Sequence, residues 1–216
     1  MPDAGPFLSG LAIALIAVVL IWFTVGTQLN VRRGNRVLGW LQEGLPILGS
    51  RATLRWLGSS IAGLGISQAN APFREAEVMV VLEPRDLGAI WALARQRGRR
   101  DFLLIRANLV RAPRFAADLV DPAGWTPPGT ARPDEALEPV SAGDGAYEFR
   151  DDGRAPRDDL RRAWDTLAAG SGGVWRIAVR QTVPHLEIHV VPPDIRLSGS
   201  ARLFTVIRQL AETITA

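Results

Sequence analysis

The sequence predicts an α+β protein: an N-terminal transmembrane helix followed by a two-layer sandwich of mainly antiparallel sheet with helices on one face. Three observations carry that expectation. Phe7 to Gly26 contains no charged residue. Downstream, segments with apolar and polar residues in alternation recur in pairs. Each pair is followed, sooner or later, by a stretch in which apolar residues return every three or four positions, the period of a helix with one buried stripe.

The 216 residues divide accordingly into a tail and anchor (1–30), a membrane-proximal segment (31–60) and a soluble domain (61–216). As a helix, the uncharged run is about 30 Å long, the thickness of a bilayer hydrocarbon core. Trp22 stands near its end, where an indole lies at headgroup level. Residues 1–6 carry only Asp3. With no basic leader and no Ala-x-Ala site, the run reads as an anchor rather than a cleaved signal. Arg32, Arg33 and Arg36 follow it and nothing basic precedes it, so the positive-inside rule puts the C-terminal domain in the cytoplasm. The lipid bilayer is therefore the first partner that the sequence names.

After the arginines come Val37, Leu38, Trp40, Leu41, Leu45, Ile47 and Leu48. They suit an interfacial helix anchored by Trp40 or the first packed helix of the domain. The weak polar face favours packing. Pro46 is expected to break whichever helix forms.

From Ile61 a strand-strand-helix unit is expected three times. Its marks are the tetrads Val81-Leu82-Glu83-Pro84, Leu119-Val120-Asp121-Pro122 and Val190-Val191-Pro192-Pro193. Pro72, Pro113 and Pro184 lie near the expected hairpin turns, where a missing amide hydrogen costs least. The helices echo one another: Leu87, Trp91 and Leu93-Ala94; Leu160, Trp164 and Leu167-Ala168; Leu203, Ile207 and Leu210-Ala211. Each is expected to bury its stripe. In the third unit Trp175, Ile177, Val179, Leu186, Ile188 and Val190 fall on one strand face. Arg176, Arg180, Thr182, His185, Glu187 and His189 fall on the other. A sheet covered on one side shows this pattern. The wholly apolar run Val78–Leu82 suits a central strand.

Residues 122–156 interrupt the second unit with Pro, Gly, Asp and Glu. They are expected to form a flexible insertion with a short strand at Ala146–Arg150. Residues 32–114 hold 14 Arg against 6 acids, and 115–165 hold 6 Arg against 12 acids. The acidic part is thus suited to fold back on the basic part, to repel a membrane or to engage a partner.

Composition removes several functions. Without cysteine there is no disulfide, thiolate site or cysteine nucleophile. All 25 basic residues are arginine, a bias expected of a GC-rich bacterial genome, so Schiff-base and phosphate-loop lysines are absent too. A net charge of +3 does not indicate nucleic acid, and the polar strand face offers no aromatic stacking platform. Gly63-x-Gly65 and Gly170-x-Gly172-Gly173 lack the strand-to-helix setting of a phosphate loop and read as a bend and a helix stop. No cofactor is implied.

Two candidate sites remain. His185, Glu187 and His189 point the same way on a strand and form a plausible zinc or iron ligand set. The alternative is an ordinary cross-strand ion pair of Arg180 with Glu187. Arg95, Arg97, Arg99 and Arg100 form a patch suited to anionic lipid, or simply complement the end of a helix stopped by Gly98. The leading expectation is a membrane-anchored, non-enzymatic accessory or scaffold protein that docks on another membrane protein at the cytoplasmic face. The alternatives are a binder of anionic lipid through the arginine patch and a metal-dependent enzyme built on the His-x-Glu-x-His strand.

Overall fold

The computed structural model describes residues 5–125, 137–140 and 147–216, with side chains from Leu8 onward. The tail with Asp3 and residues 126–136 and 141–146 of the insertion lie outside the described residues.

One helix, α1 (Gly5–Leu48), runs for 44 residues, about 66 Å at the usual rise. Its two halves differ in what covers them. From Leu8 to Val25 every side chain is exposed, with no charge among them. This apolar arm is long and apolar enough to cross a membrane. From Gly26 onward the helix becomes amphipathic: Asn30, Gly34, Val37, Leu41, Leu45 and Leu48 are buried along one stripe. The part of the membrane-proximal segment up to Leu48 is thus a helix packed in the domain and continuous with the arm, and its remainder supplies the first strand of the sheet. Pro46 does not break the helix, because only two residues of helix remain beyond it. Asn70 Nδ2 donates to the Pro46 and Ile47 carbonyls at 2.8 and 3.3 Å, satisfying groups that a helix end leaves open.

The strands are β1 (Ala52–Trp56), β2 (Ile61–Ile66), β3 (Phe73–Val81), β4 (Phe102–Leu109), β5 (Ala117–Val120), β6 (Glu138–Val140), β7 (Glu148–Asp151), β8 (Gly173–Val179) and β9 (Leu186–Val191). They form one sheet in the order β1-β2-β3-β4-β9-β8-β5-β7-β6, antiparallel at each pairing. The insertion supplies β6 and β7, which extend the sheet. The expected second hairpin does not form: β9 and β8 stand between β4 and β5.

The helices α3 (Arg157–Gly170) and α4 (Ser200–Thr215) join the domain half of α1 on one face of the sheet. Leu160, Trp164 and Leu167 are buried from α3, and Phe204, Ile207, Leu210 and Ile214 from α4. Where α4 crosses α1, a side chain at Gly44 would meet Phe204 and Ser200 at 2.6 and 2.8 Å. Ser200 Oγ instead accepts the Gly44 amide at 2.9 Å and donates to the Trp40 carbonyl at 2.7 Å.

The helix α2 (Gly88–Gln96) breaks the expected pattern. It buries none of its residues. Leu87, Ile90 and Leu93 remain 47, 55 and 49% exposed, because α2 sits beside the arm, away from the helix layer. The strand faces also need one correction. A bulge between Val174 and Arg176 turns Trp175 to the face opposite the helices, where it packs at 5.2 Å from the Phe102 ring. Val174 takes the core position instead. Gly63 and Gly65 form no bend but lie inside β2.

Candidate functional site

The sheet face opposite the helices carries three groups in succession. Nearest the arm is an apolar cluster of Val81, Phe102, Leu104 and Trp175, with Trp125 packed against it. Arg99 lies over the Trp125 ring at 4.6 Å, and desolvation by burial lowers its pKa from the ordinary arginine value despite nearby Glu83 and Asp101. This face, expected to lack aromatic residues, thus carries the Phe102, Trp125 and Trp175 rings.

The middle is charged and partly buried. Arg106 Nε donates to Glu187 at 2.8 Å, and His189 Nε2 lies 3.0 Å from the other Glu187 oxygen. Burial pushes the Glu187 carboxyl upward, but hydrogen bonds and charge from His189 and Arg106 outweigh it and bring the pKa down to about 2. Arg106 therefore holds the place expected of Arg180 beside Glu187. Arg180 turns to Asp118 at 3.1 Å, and Arg176 joins the same carboxylate through two bonds at 2.9 and 2.6 Å. Asp118 is fully buried and Arg176 is 3% exposed, so this is a buried ion pair with the partly exposed Arg180 at its edge.

His185 is separated from that middle group by its own bond: its Nδ1 accepts the Leu109 amide at 2.9 Å. Among the described residues, no group of three or more His, Asp or Glu side chains is placed to hold a metal ion. Each of the three candidate ligands is engaged within the protein: His185 accepts from Leu109, His189 bonds Glu187, and Glu187 has a partner on both oxygens. Burial, then nearby Arg74, lowers the His185 pKa. A lowered histidine pKa favours the neutral fold, so the stability from this group is complete above about pH 6.5 and declines as pH falls below it. The expected result is a thermal midpoint that drops on acidification from about pH 7.5 to about 5.5. His185→Asn, whose amide oxygen can still accept from Leu109, is expected to drop less. Circular dichroism of both proteins in detergent micelles reads the difference, and equal drops would remove His185 as the cause.

At the end far from the arm, the face hollows into a trough of about 540 Å³ lined by Thr53, Gly65, Glu75, Glu77, Asn108 and Val183, among others. Gly65 leaves its floor open, since a side chain there would meet nothing within 4 Å. Glu75 and Glu77 are exposed on its wall.

At the arm end, a second set of polar residues ties α1 to the sheet. Asp101 accepts the Glu83 amide at 2.8 Å, Arg85 at 2.9 and 3.1 Å, and Arg33 Nε at 3.2 Å. Buried Asn30 accepts from Arg85 at 3.2 Å and donates to Ser60 at 3.0 Å. Glu83 accepts from Trp91 at 2.5 Å and from Arg95 at 3.0 Å. Of the residues read as topology signals, Arg33 thus belongs to this hub, Arg32 and Arg36 are exposed, and Trp22 Nε1 donates to the Arg85 carbonyl at 3.1 Å. The arginine patch divides in the same way. Arg99 packs over the Trp125 ring and Arg95, though half-exposed, bonds Glu83, whereas Arg97 and Arg100 are exposed around Gly98, whose φ of +84° ends α2. The hub escaped the sequence reading because Arg33 and Asp101 stand 68 residues apart. Compared with known proteins, the chain matches no protein-family model and has no significant match among the curated proteins.

Proposed function

We propose that the chain is a membrane-anchored, non-enzymatic docking protein that presents its sheet to a partner membrane protein at the cytoplasmic face. One observation carries this reading. The exposed apolar arm and the first core helix are the same unbroken α1, so the domain stands at a fixed height and angle to whatever surrounds the arm. An apolar surface of that length and continuity is stable in lipid, not in water. Arg32 and Arg36, exposed just beyond the arm, support the cytoplasmic side for the domain. The partner contact fits the far trough, whose exposed Glu75 and Glu77 suit a segment bearing positive charge and hydrogen-bond donors. The order β2-β3-α2 and β8-β9-α4, with β4-β5-α3 interrupted by β6 and β7, supports descent from a repeated unit, the second copy having opened to admit β8 and β9.

The test is photo-crosslinking in native membranes, with a benzophenone amino acid at Val183 on the trough or at Leu197, which is 86% exposed. The expected result is a discrete adduct from Val183 that Leu197 does not give, identified by mass spectrometry as a membrane protein. A chain that forms no adduct from Val183 would overturn the docking reading.

A further inference from the structure

We propose that α2 is a second membrane contact: a short helix lying in the headgroup–acyl boundary, with Leu87, Ile90 and Leu93 in lipid and lipid chains filling the cleft between α2 and the arm. The proposal rests on the reading that the arm crosses the bilayer. It adds a second element at the surface and names what covers it.

Position is the first argument. Trp22 Nε1 is bonded to the Arg85 carbonyl. Gly88 packs on that indole so closely that a side chain there would stand 2.7 Å from it. A side chain at Gly26 would run into the Arg85 backbone. These contacts set α2 beside Val18, Val19, Trp22 and Phe23. Along the helix axis those residues lie roughly 5 to 12 Å on the arm side of Gly26. Interfacial helices bury their apolar face to a depth of about 5–10 Å. If the arm is in the bilayer, α2 enters its boundary as well.

Chemistry is the second argument. The exposed residues of α2 are apolar up to Leu93, with Arg95 and Gln96 following at its C-terminal end, and Trp91 and Arg95 bond Glu83. Ile90, Leu93 and Arg97 follow one another at helical spacing along the outward side, so an arginine stem lies beside the apolar pair with its charge free to reach a phosphate. Exposed Arg100 stands just beyond. The cleft holds about 590 Å³ between α2 and the arm. Its walls continue the exposed apolar surface of α1 without a break, so the material around the arm is also the material that enters it.

The chain has no cysteine, so single cysteines can be introduced into the full-length protein without background. Ile90→Cys and Leu93→Cys carry an environment-sensitive fluorophore, with Ile16→Cys on the arm and Leu197→Cys far from it as references. The protein is reconstituted in phosphatidylcholine vesicles with about 30 mol% phosphatidylglycerol. Quenching is compared for aqueous iodide, for a lipid with a nitroxide near the headgroup and for one with a nitroxide deep in the chain. The expected result is loss of most emission at positions 90 and 93 to the shallow nitroxide and little loss to iodide. Position 16 should respond to the deep nitroxide, and position 197 to iodide alone. Iodide quenching at 90 and 93, with position 16 still in lipid, would overturn the proposal and leave the arm reading intact. Iodide quenching at position 16 would overturn the arm reading itself. Protection of 90 and 93 from iodide and from both nitroxides would mean that protein, not lipid, covers α2, and would also overturn the proposal.

Discussion

Asp118→Ala lowers the stability of the full-length protein by about 3 kcal/mol, the cost of removing the buried carboxylate that Arg176 and Arg180 share. The loss is large because Arg176 is 3% exposed and gives two of its donors to this carboxylate, 2.9 and 2.6 Å away. Arg180 loses an acceptor as well. These ion pairs clamp β5 to β8, so the variant also loosens the register of the sheet's far half. Urea denaturation in detergent micelles, followed by tryptophan fluorescence, reads the change. Replacing Asp118 and Arg176 together by leucine and methionine removes both charges and is expected to cost less than the single change. If Asp118→Ala stays within about 1 kcal/mol of the parent, the ion pairs do not stabilise the fold.

Asp101→Ala has the second largest effect, about 2 kcal/mol, discounted because Arg33 is partly in solvent. Asp101 is where three parts of the chain meet: Arg33 from α1, the Glu83 amide at the end of β3, and Arg85 on the way to α2. Its removal is expected to unfasten α2 from the arm as well as to destabilise the domain. Pulsed electron resonance between labels at positions 16 and 90 tests the first effect. A broadened distance distribution supports the hub as the fastening, and an unchanged one assigns that role to Trp22 and Gly26. Asp101→Asn, which keeps an acceptor for the Glu83 amide, should fall between.

The parts of the fold that were legible in the sequence are those where neighbours in the chain carry the signal. The arm shows in an uncharged run, α3 and α4 in their stripes, and β9 in the alternation of Leu186, Ile188 and Val190 with polar residues. The rest depends on what is far away. The spacing of Leu87, Trp91 and Leu93 is the same for a helix covered by a sheet and for one beside the arm, so periodicity predicted burial for a helix that buries nothing. Trp175 kept the right period but changed face at a bulge, because one extra residue reverses the alternation. Pairing of β4 with β9 rather than β5 is set by long-range packing that the tetrads do not encode. In the candidate site, the polar face of β9 was legible and its partners were not. Glu187 bonds Arg106, 81 residues earlier, whereas the nearer Arg180 goes to Asp118.

The absence of any joint in α1 has a mechanical consequence. A flexible tether would let the sheet swing and would hide from it every movement of the arm. A single rod transmits torsion. A turn of the arm by one residue's worth, about 100°, swings the trough through the same bearing, and a tilt at one end becomes a sideways displacement at the other. A neighbour that grips only the arm thereby steers the compass direction in which Glu75 and Glu77 face.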